Sequence, residues 1–106
     1  MIIRGTTPSI SFHINTELDL DEVAEVWITF KNKVGASINE ITFTKDDVTI
    51  DAEHSNINLF LSQEDTLAFT DNPYNIQIRL RMNDDFAYAS SILEVQIGKI
   101  LKDGVI

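Results

Sequence analysis

The stretch "YNIQIRLRMNDDFAYASSILEVQIG", residues 74–98, decides the fold class because apolar and polar residues alternate along it. In its first segment the apolar positions run from Tyr74 to Met82 at every second residue. Successive side chains of a strand point to opposite faces, so this period predicts a strand with one buried face. The "NDD" that follows is typical of a turn. The stretch therefore predicts an antiparallel hairpin.

The two faces of this hairpin predict its register. Pairing Tyr74 with Val95 and Leu80 with Ala89 places the apolar residues of both strands on one face. The same register puts Tyr88 beside Arg81 on the polar face. A slip of one residue would turn the apolar side chains of one strand toward the polar face. We therefore expect this register along the whole hairpin.

The rest of the chain shows the same period in five shorter segments. They lie at 9–14, 23–31, 38–44, 48–50 and 56–61, and a turn containing Gly35 separates the second from the third. Ser62, with Asp65 three residues later, has the pattern of a capped helix N-terminus. Six or seven strands at spacings of about ten residues, with one short helix near 62–69, predict an all-β sandwich or a small barrel. The length of 106 residues fits a single domain over 1–106.

Composition excludes several classes of protein. The chain contains no cysteine, which excludes a disulfide scaffold and a thiolate metal site. The formal net charge of -9 disfavours a nucleic-acid partner, because a phosphate backbone attracts clustered Lys and Arg. No apolar run approaches the ~20 residues of a membrane helix, and no basic-then-apolar leader opens the sequence. We expect neither a nucleic-acid nor a membrane partner.

The charge is unevenly distributed along the chain. Residues 1–72 carry thirteen acids and four bases, whereas residues 73–106 carry four of each. A surface that approaches another chain without electrostatic repulsion is therefore expected on the C-terminal third. The alternative interpretation is that the acidity only aids solubility.

The sequence lacks the usual patterns of catalytic and cofactor sites. His13 lies on the polar side of a predicted strand and His54 in a predicted loop, and neither accompanies a G-x-S-x-G turn. The four glycines are isolated from one another, which does not fit a phosphate-binding loop. We predict no catalytic and no cofactor-binding residues.

The acidic segment 17–25 is the candidate for metal binding. It contains five carboxylates and no base, and Ca²⁺ is bound by several oxygen ligands. Its spacing lacks the D-x-D-x-D-G pattern and the glycine of a calcium loop. We predict a solvated acidic turn without metal ligands, with calcium binding as the alternative.

Trp27 is the residue whose position would reveal a binding surface. The alternation places it opposite Val26 and Ile28, on the polar face of its strand. An exposed aromatic side chain beside carboxylates would suit a carbohydrate ligand. The competing interpretation is a second layer of core contact.

The C-terminal residues 99–106 combine apolar side chains with two lysines. This segment forms either an extended tail that reaches a neighbouring subunit or a final edge segment that folds back on its own domain. The sequence leaves both alternatives open.

Three short motifs and the final hairpin resemble a known family. "IRGTTPSISFHI" opens into a strand, "LDLDEVAEVWITFK" places an Asp-Leu pair before the next one, and "INLFLSQEDTLAF" leads from a late strand into the helix. In this order the chain resembles small structural proteins of Gram-positive bacteriophages and their prophages. It is similar to the N-terminal immunoglobulin-like domain of phage upper baseplate proteins. The residues that carry the resemblance are Arg4, Gly5, Thr6, Asp19, Leu20, Ser62, Gln63 and Glu64.

The resemblance implies an immunoglobulin-like sandwich of about seven strands and a non-enzymatic virion structural protein of the tail or baseplate region. Upper baseplate proteins continue into a long receptor-side region, so a freestanding domain is expected here. Its partners would be other virion structural proteins and further copies in a homo-oligomer. It would be found in the virion, or in the bacterial cytoplasm when expressed from a prophage. The alternative is a carbohydrate- or ligand-binding β-sandwich module.

The residues expected at protein contacts fall into two sets. One lies on the polar sheet face and one in the C-terminal segment. They are Trp27, Arg79, Arg81 and Tyr88 in the first set, and Ile100, Leu101, Val105 and Ile106 in the second.

Overall fold

A computed structural model describes residues 1–34, 37–70 and 72–106, and within these ranges the chain forms ten strands and one short α-helix. The strands are β1 (Ile2–Ile3), β2 (Ser9–His13), β3 (Val23–Val34), β4 (Ser37–Thr44), β5 (Val48–Asp51), β6 (Asn56–Phe60), β7 (Tyr74–Met82), β8 (Ala87–Ala89), β9 (Leu93–Val95) and β10 (Ile97–Gly98). The helix α1 spans Gln63–Leu67, and two single 3₁₀ turns span Leu20–Glu22 and Lys45–Asp47.

Two antiparallel sheets form an all-β sandwich, as the alternating pattern predicts. The larger sheet has the order β4-β3-β7-β8, and β9 also pairs with β7. The smaller sheet has the order β2-β6-β5. Apolar residues from the two sheets join in one core, to which β6 contributes Ile57 and Leu59. A third, two-stranded element pairs β1 with β10 in parallel.

The pairing of β3 with β7 lies at the centre of the larger sheet. Val26, Ile28 and Phe30 of β3 are completely buried, and they stand opposite the buried Leu80, Ile78 and Ile76 of β7. Each residue between them points to the other side of the sheet, because side chains alternate along a strand. The period-two pattern of both strands therefore produces one buried face and one solvent-exposed face.

Aromatic rings connect the larger sheet to the segment after α1. The ring of Phe69 lies 5.2 Å from that of Phe30 and 4.9 Å from that of Tyr74, measured between centroids. The buried Tyr74 hydroxyl accepts hydrogen bonds from the Asn39 side chain and from the Thr70 amide, at 2.8 and 3.0 Å. Because a buried hydroxyl without partners costs free energy, these contacts fix the tyrosine in one position.

The predicted helix is confirmed, together with its cap. Ser62 accepts a hydrogen bond from the Asp65 amide, and the Asp65 carboxylate accepts one from the Ser62 amide. This reciprocal pair satisfies two donors at the helix start. Thr66 is fully buried and donates its hydroxyl proton to the carbonyl of Thr6, which ties α1 to the N-terminal turn.

The predicted hairpin register is correct in one half and wrong in the other. β9 pairs Tyr74 with Val95 and Ile76 with Leu93, as predicted. β8, however, pairs Leu80 with Tyr88 and not with Ala89. The register of β8 therefore differs by one residue from that of β9, and the return strand is broken over residues 90–92.

Ser90 is the physical reason for the break. Its hydroxyl oxygen accepts the hydrogen bond of the Ile78 amide at 3.1 Å, while the Ser90 carbonyl accepts one from the Gln77 side chain. A side-chain hydroxyl thus occupies the ladder position that a carbonyl would hold. Serine competes with the backbone in this way because its hydroxyl is short and close to the main chain.

The strand ends near 32–37 also differ from the prediction. β3 continues to Val34 and β4 begins at Ser37, where a longer turn was expected. Gly35, which the prediction placed in that turn, lies outside the described residues.

Adjacent residues of β6 provide a test of the alternation. Leu59→Ala should lower the free energy of unfolding by about 2–5 kcal/mol, because it opens a cavity in the shared core. Phe60→Ala should change it by less than about 1 kcal/mol, because the Phe60 side chain is 60% exposed while Leu59 is completely buried. Urea denaturation of the two variants measures the difference. Equal losses would contradict this assignment of faces.

Candidate functional site

The outer face of the larger sheet is the side that bears Trp27. Its residues form rows across the strands, because Trp27, Thr29 and Lys31 of β3 each have direct partners on both β4 and β7. Trp27 stands between Thr44 and Arg79, and Thr29 stands between Thr42 and Gln77. A third row continues in the same way. It contains Glu40, Lys31, Asn75 and Glu94.

Trp27 is exposed on this face and does not form a second core layer. Its side chain is 47% accessible to solvent, whereas its neighbours Val26 and Ile28 are completely buried. The guanidinium carbon of Arg79 lies 5.6 Å from the centroid of the Trp27 ring, within the range of a cation–π contact. The contact restrains the ring while leaving about half of it exposed.

A groove of about 750 Å³ runs along the outer face beside Trp27. Its floor and walls come from three strands and from the return segment of the hairpin. Among the lining residues are Trp27, Thr29, Glu40, Thr42, Gln77 and Ile92. Its volume falls within the range of about 300–1,000 Å³ that small-molecule sites occupy.

Among the residues whose side chains the structure describes, acidic and basic groups on the outer face are equal in number. Six charged side chains project from its described rows, three acidic and three basic, whereas the chain as a whole carries -9. They are Glu25, Lys31, Glu40, Arg79, Arg81 and Glu94. The acidic surplus therefore lies elsewhere on the molecule, and a partner can approach this face without net repulsion.

The structure brings Trp27, Arg79 and Arg81 together, but it separates Tyr88 from them. Tyr88 stands opposite Leu80, so it was wrongly predicted to lie beside Arg81 on the polar face. Its ring lies 4.7 Å from that of Phe86, at the rim of the inner side near Leu18 and Met82. The Ser90 break is the cause, because a shift of one residue reverses the face of each side chain.

The tail residues form a separate surface that lies back against the domain. Asp103 makes an ion pair of 2.8 Å with Arg4, and the main chain of Ile106 exchanges two hydrogen bonds with the Gln63 side chain. Ile100 packs at Gly5, where an added Cβ would stand 3.3 Å from the Ile100 side chain. Of the two alternatives open from the sequence, this structure has the segment folded back.

Arg4 connects three parts of this surface. Besides its ion pair, its guanidinium donates hydrogen bonds to the carbonyls of Leu67 and Phe69, at 3.0 and 2.8 Å. Carbonyls at the end of a helix lack partners within it, and a cation there is favourable. Gly5 follows with φ of 78°, a conformation that glycine adopts without strain.

The two histidines make local polar contacts. His13 shares a hydrogen bond with Asn56, and His54 forms one of 2.8 Å with the partly exposed Asp51. The hydrogen bond from His54 is the main cause that lowers the pKa of Asp51 from its ordinary value.

Three acids of the segment 17–25 accept local hydrogen bonds. Asp19 caps the 3₁₀ turn by accepting a hydrogen bond from the Asp21 amide, and Glu22 accepts one from the Asn83 side chain. Glu25 accepts from the amides of Val26 and Lys45. Within the described ranges, no three His, Asp or Glu side chains gather closely enough to hold a metal ion.

Several residues of both surfaces were not predicted from the sequence. Thr29 and Lys31 follow Trp27 at every second position of β3, so the alternation alone could have placed them on the same face. Thr42 and Glu40 depend on the β3–β4 register, which the pairing of Val34 with Ser37 sets. Arg4 and Gln63 were identified only as parts of the motifs that carry the family resemblance. Their contacts with the C-terminal segment could not be predicted, because the contacting residues are far apart in the sequence.

Comparison with known proteins assigns no family. No protein-family model matches the chain, and no curated protein matches it significantly. In addition, no helix within the described ranges has the length and apolar character needed to cross a bilayer.

The contact between His54 and Asp51 leads to a testable prediction about the pKa of Asp51. His54→Ala should raise the pKa of Asp51 toward 3.8, because it removes the hydrogen bond that favours the charged carboxylate. Since the folded-state pKa is the lower one, the stability that this contact contributes is present above the unfolded-state pKa and is lost as pH falls through the folded value.

Carbon-13 NMR titration of the Asp51 carboxyl measures the change. His13→Ala is the matched control and should leave the titration of Asp51 unaltered. The same pKa for Asp51 in the parent chain and in His54→Ala would refute the assigned cause.

Proposed function

We propose that this protein is a non-enzymatic structural protein of a phage or prophage virion, in the tail or baseplate region, and that it acts by protein–protein assembly. The resemblance of its opening, its helix motif and its final hairpin to phage structural proteins supports the phage setting. The observation that carries the assembly role is an apolar surface that is exposed and yet held in place at the chain ends.

The terminal patch is the set of exposed apolar residues at this end of the molecule. Leu101 and Ile106 are fully exposed, and Val105 is more than half exposed. β1 pairs with β10, so the exposed Met1 and Ile3 lie at the same end. An added Cβ at Gly98 would stand 3.1 Å from the Met1 sulfur, which places Met1 directly over β10. The patch therefore consists of Met1, Ile3, Leu101, Val105 and Ile106.

Anchoring distinguishes this patch from a loose apolar tail. The Arg4–Asp103 ion pair holds the segment between Leu101 and Val105, and the two Gln63–Ile106 hydrogen bonds hold it at Ile106. Ordering a free segment upon binding costs conformational entropy, and a segment that is already ordered avoids much of that cost. Burial of one Leu or Ile side chain then contributes about 1.5–3 kcal/mol to association.

A neighbouring subunit is the partner that suits this arrangement. Single exposed apolar residues are common on soluble proteins, but a group of five on two ordered segments at one end of the molecule marks an interaction site. Virions are symmetric assemblies, in which one patch is used repeatedly by identical subunits. The protein therefore joins other virion proteins and further copies of itself through the terminal patch.

Replacing apolar side chains of the patch should weaken assembly without unfolding the domain. The double variant Leu101→Ser, Ile106→Ser should reduce self-association and incorporation into particles by about tenfold or more, because it removes two of the buried contacts. Sedimentation velocity at several concentrations measures the first effect, and the protein content of purified particles measures the second. The free energy of unfolding should change by less than about 0.5 kcal/mol.

Ile38→Ser provides the matched control, because Ile38 is an exposed apolar residue of β4, which belongs to a different sheet from β1 and β10. It should leave both measurements unchanged. If the double variant sediments and enters particles as the parent chain does, the terminal patch is not the assembly surface.

The anchoring has its own test. Gln63→Ala keeps all five patch side chains but removes both hydrogen bonds to Ile106. Association should weaken several-fold, because the segment must then be ordered during binding. Hydrogen exchange of the Ile106 amide should become faster in the free protein.

Gln96→Ala is the control for this variant, since Gln96 contacts only a nearby surface residue, Glu94, among the side-chain contacts described. A Gln63→Ala protein with faster exchange but undiminished association would show that anchoring does not contribute to binding.

A further inference from the structure

We propose that the outer-face groove beside Trp27 binds a neutral glycan. This surface lies on the larger sheet and shares no residue with the terminal patch. It gives the protein a second activity, recognition of a carbohydrate, that is independent of its assembly role. Four features of the groove lead to this ligand class.

The position of the groove requires recognition by side chains. It lies over β4, β3 and β7, and the backbone groups of these neighbouring strands already pair with one another. A peptide strand could add to a sheet edge through backbone hydrogen bonds, but not over the middle of a sheet. A ligand in this groove is therefore held by the outward side chains of the rows.

The charge of the outer face disfavours ionic ligands. The charged side chains that line the groove are Lys31, Glu40 and Arg79. Lys31 has Glu40 as its cross-strand neighbour and Arg79 lies over the Trp27 ring, so a phosphate meets no cluster of free cations and a polycation meets a single acid. Glu40 and Lys31 are direct neighbours across β4 and β3, and Glu25 and Arg81 are direct neighbours across β3 and β7. A neutral ligand with many hydroxyl groups can bond to both kinds of side chain.

The exposed indole of Trp27 supplies the apolar platform. A sugar ring has one face of C–H groups and a rim of hydroxyls, so it packs on a flat aromatic ring while its rim bonds to polar neighbours. The partial exposure of Trp27 leaves room for such packing, and the Arg79 contact at 5.6 Å restrains the ring beforehand. A restrained platform reduces the entropy lost on binding.

Polar groups surround this platform at positions set by the strand pairing. The hydroxyls of Thr29 and Thr42 lie 3.2 Å apart on adjacent strands, in the row next to Trp27. Gln77 is the other partner of Thr29, and its hydrogen bond to the Ser90 carbonyl fixes the orientation of its amide. Hydroxyl, amide and carboxylate groups therefore line one continuous groove with the indole.

Tryptophan fluorescence tests the proposal directly, because Trp27 is the single tryptophan of the chain. The full chain is first screened on an array of neutral oligosaccharides built from glucose, galactose, mannose and N-acetylglucosamine, together with sulfated analogues. Neutral members that bind are then titrated in solution. Binding should be saturable, should shift the emission of Trp27, and should be lost for the sulfated analogues.

Variants of the groove locate the site. Trp27→Ala should weaken binding of the selected oligosaccharide by about tenfold or more, as loss of a central aromatic anchor does. Trp27→Phe should weaken it less, since a smaller aromatic ring remains, and Gln77→Ala should weaken it several-fold. Calorimetry measures the affinity of all variants, including those without tryptophan. Phe60→Ala is the matched control, an exposed aromatic residue on the smaller sheet, and should bind as the parent does.

Several outcomes would overturn the proposal. They are a lack of binding to every neutral oligosaccharide, binding to sulfated members alone, and affinity unchanged in Trp27→Ala. Loss of self-association in Trp27→Ala without any glycan binding would instead make this face a protein interface. The variant Leu101→Ser, Ile106→Ser should retain full glycan affinity. The assembly proposal and the glycan proposal can therefore fail independently of each other.

Discussion

The antiparallel pairing of β3 with β7 is the constraint on which the remainder of the structure depends. One register places Val26, Ile28 and Phe30 against the buried residues of β7 and, through the same alternation, places Trp27 beside Arg79 on the opposite side. A slip of one residue would bury the charged side chains and expose the apolar ones. The free energy of the core therefore fixes the geometry of the outer face, although no outward side chain contributes to that core.

The two surfaces differ in how they become ordered. The outer face belongs to long paired strands, so its side chains project from a backbone that the ladder already holds. In the terminal patch, Leu101, Val105 and Ile106 belong to a segment without strand pairing beyond Gly98, and side-chain contacts from Arg4 and Gln63 hold that segment. An ion pair at the surface contributes about 0–1 kcal/mol, and this one is partly exposed, so we expect this end to open at a lower free energy than the sheet does.

Much of the fold could be predicted from the sequence, because its causes are local. Alternation gave the strands, and Ser62 with Asp65 gave the helix start. The break at Ser90 could not be predicted, because it results from a competition between a hydroxyl and a carbonyl for the Ile78 amide. The exposure of Trp27 follows from local alternation, whereas the inward position of Tyr88 follows from this break. The folded-back tail depends on contacts such as that between Arg4 and Asp103, which join the two ends of the chain.

The Ser90 break has a consequence for the border of the larger sheet. Beyond β7 this border consists of β8 and β9, each three residues long and out of register with each other. A foreign strand that approached there would meet no continuous ladder of free amides and carbonyls. Natural sheets use such irregularities to prevent open-ended fibre growth. On this side the interruption therefore protects the protein against edge-to-edge aggregation with other copies of itself.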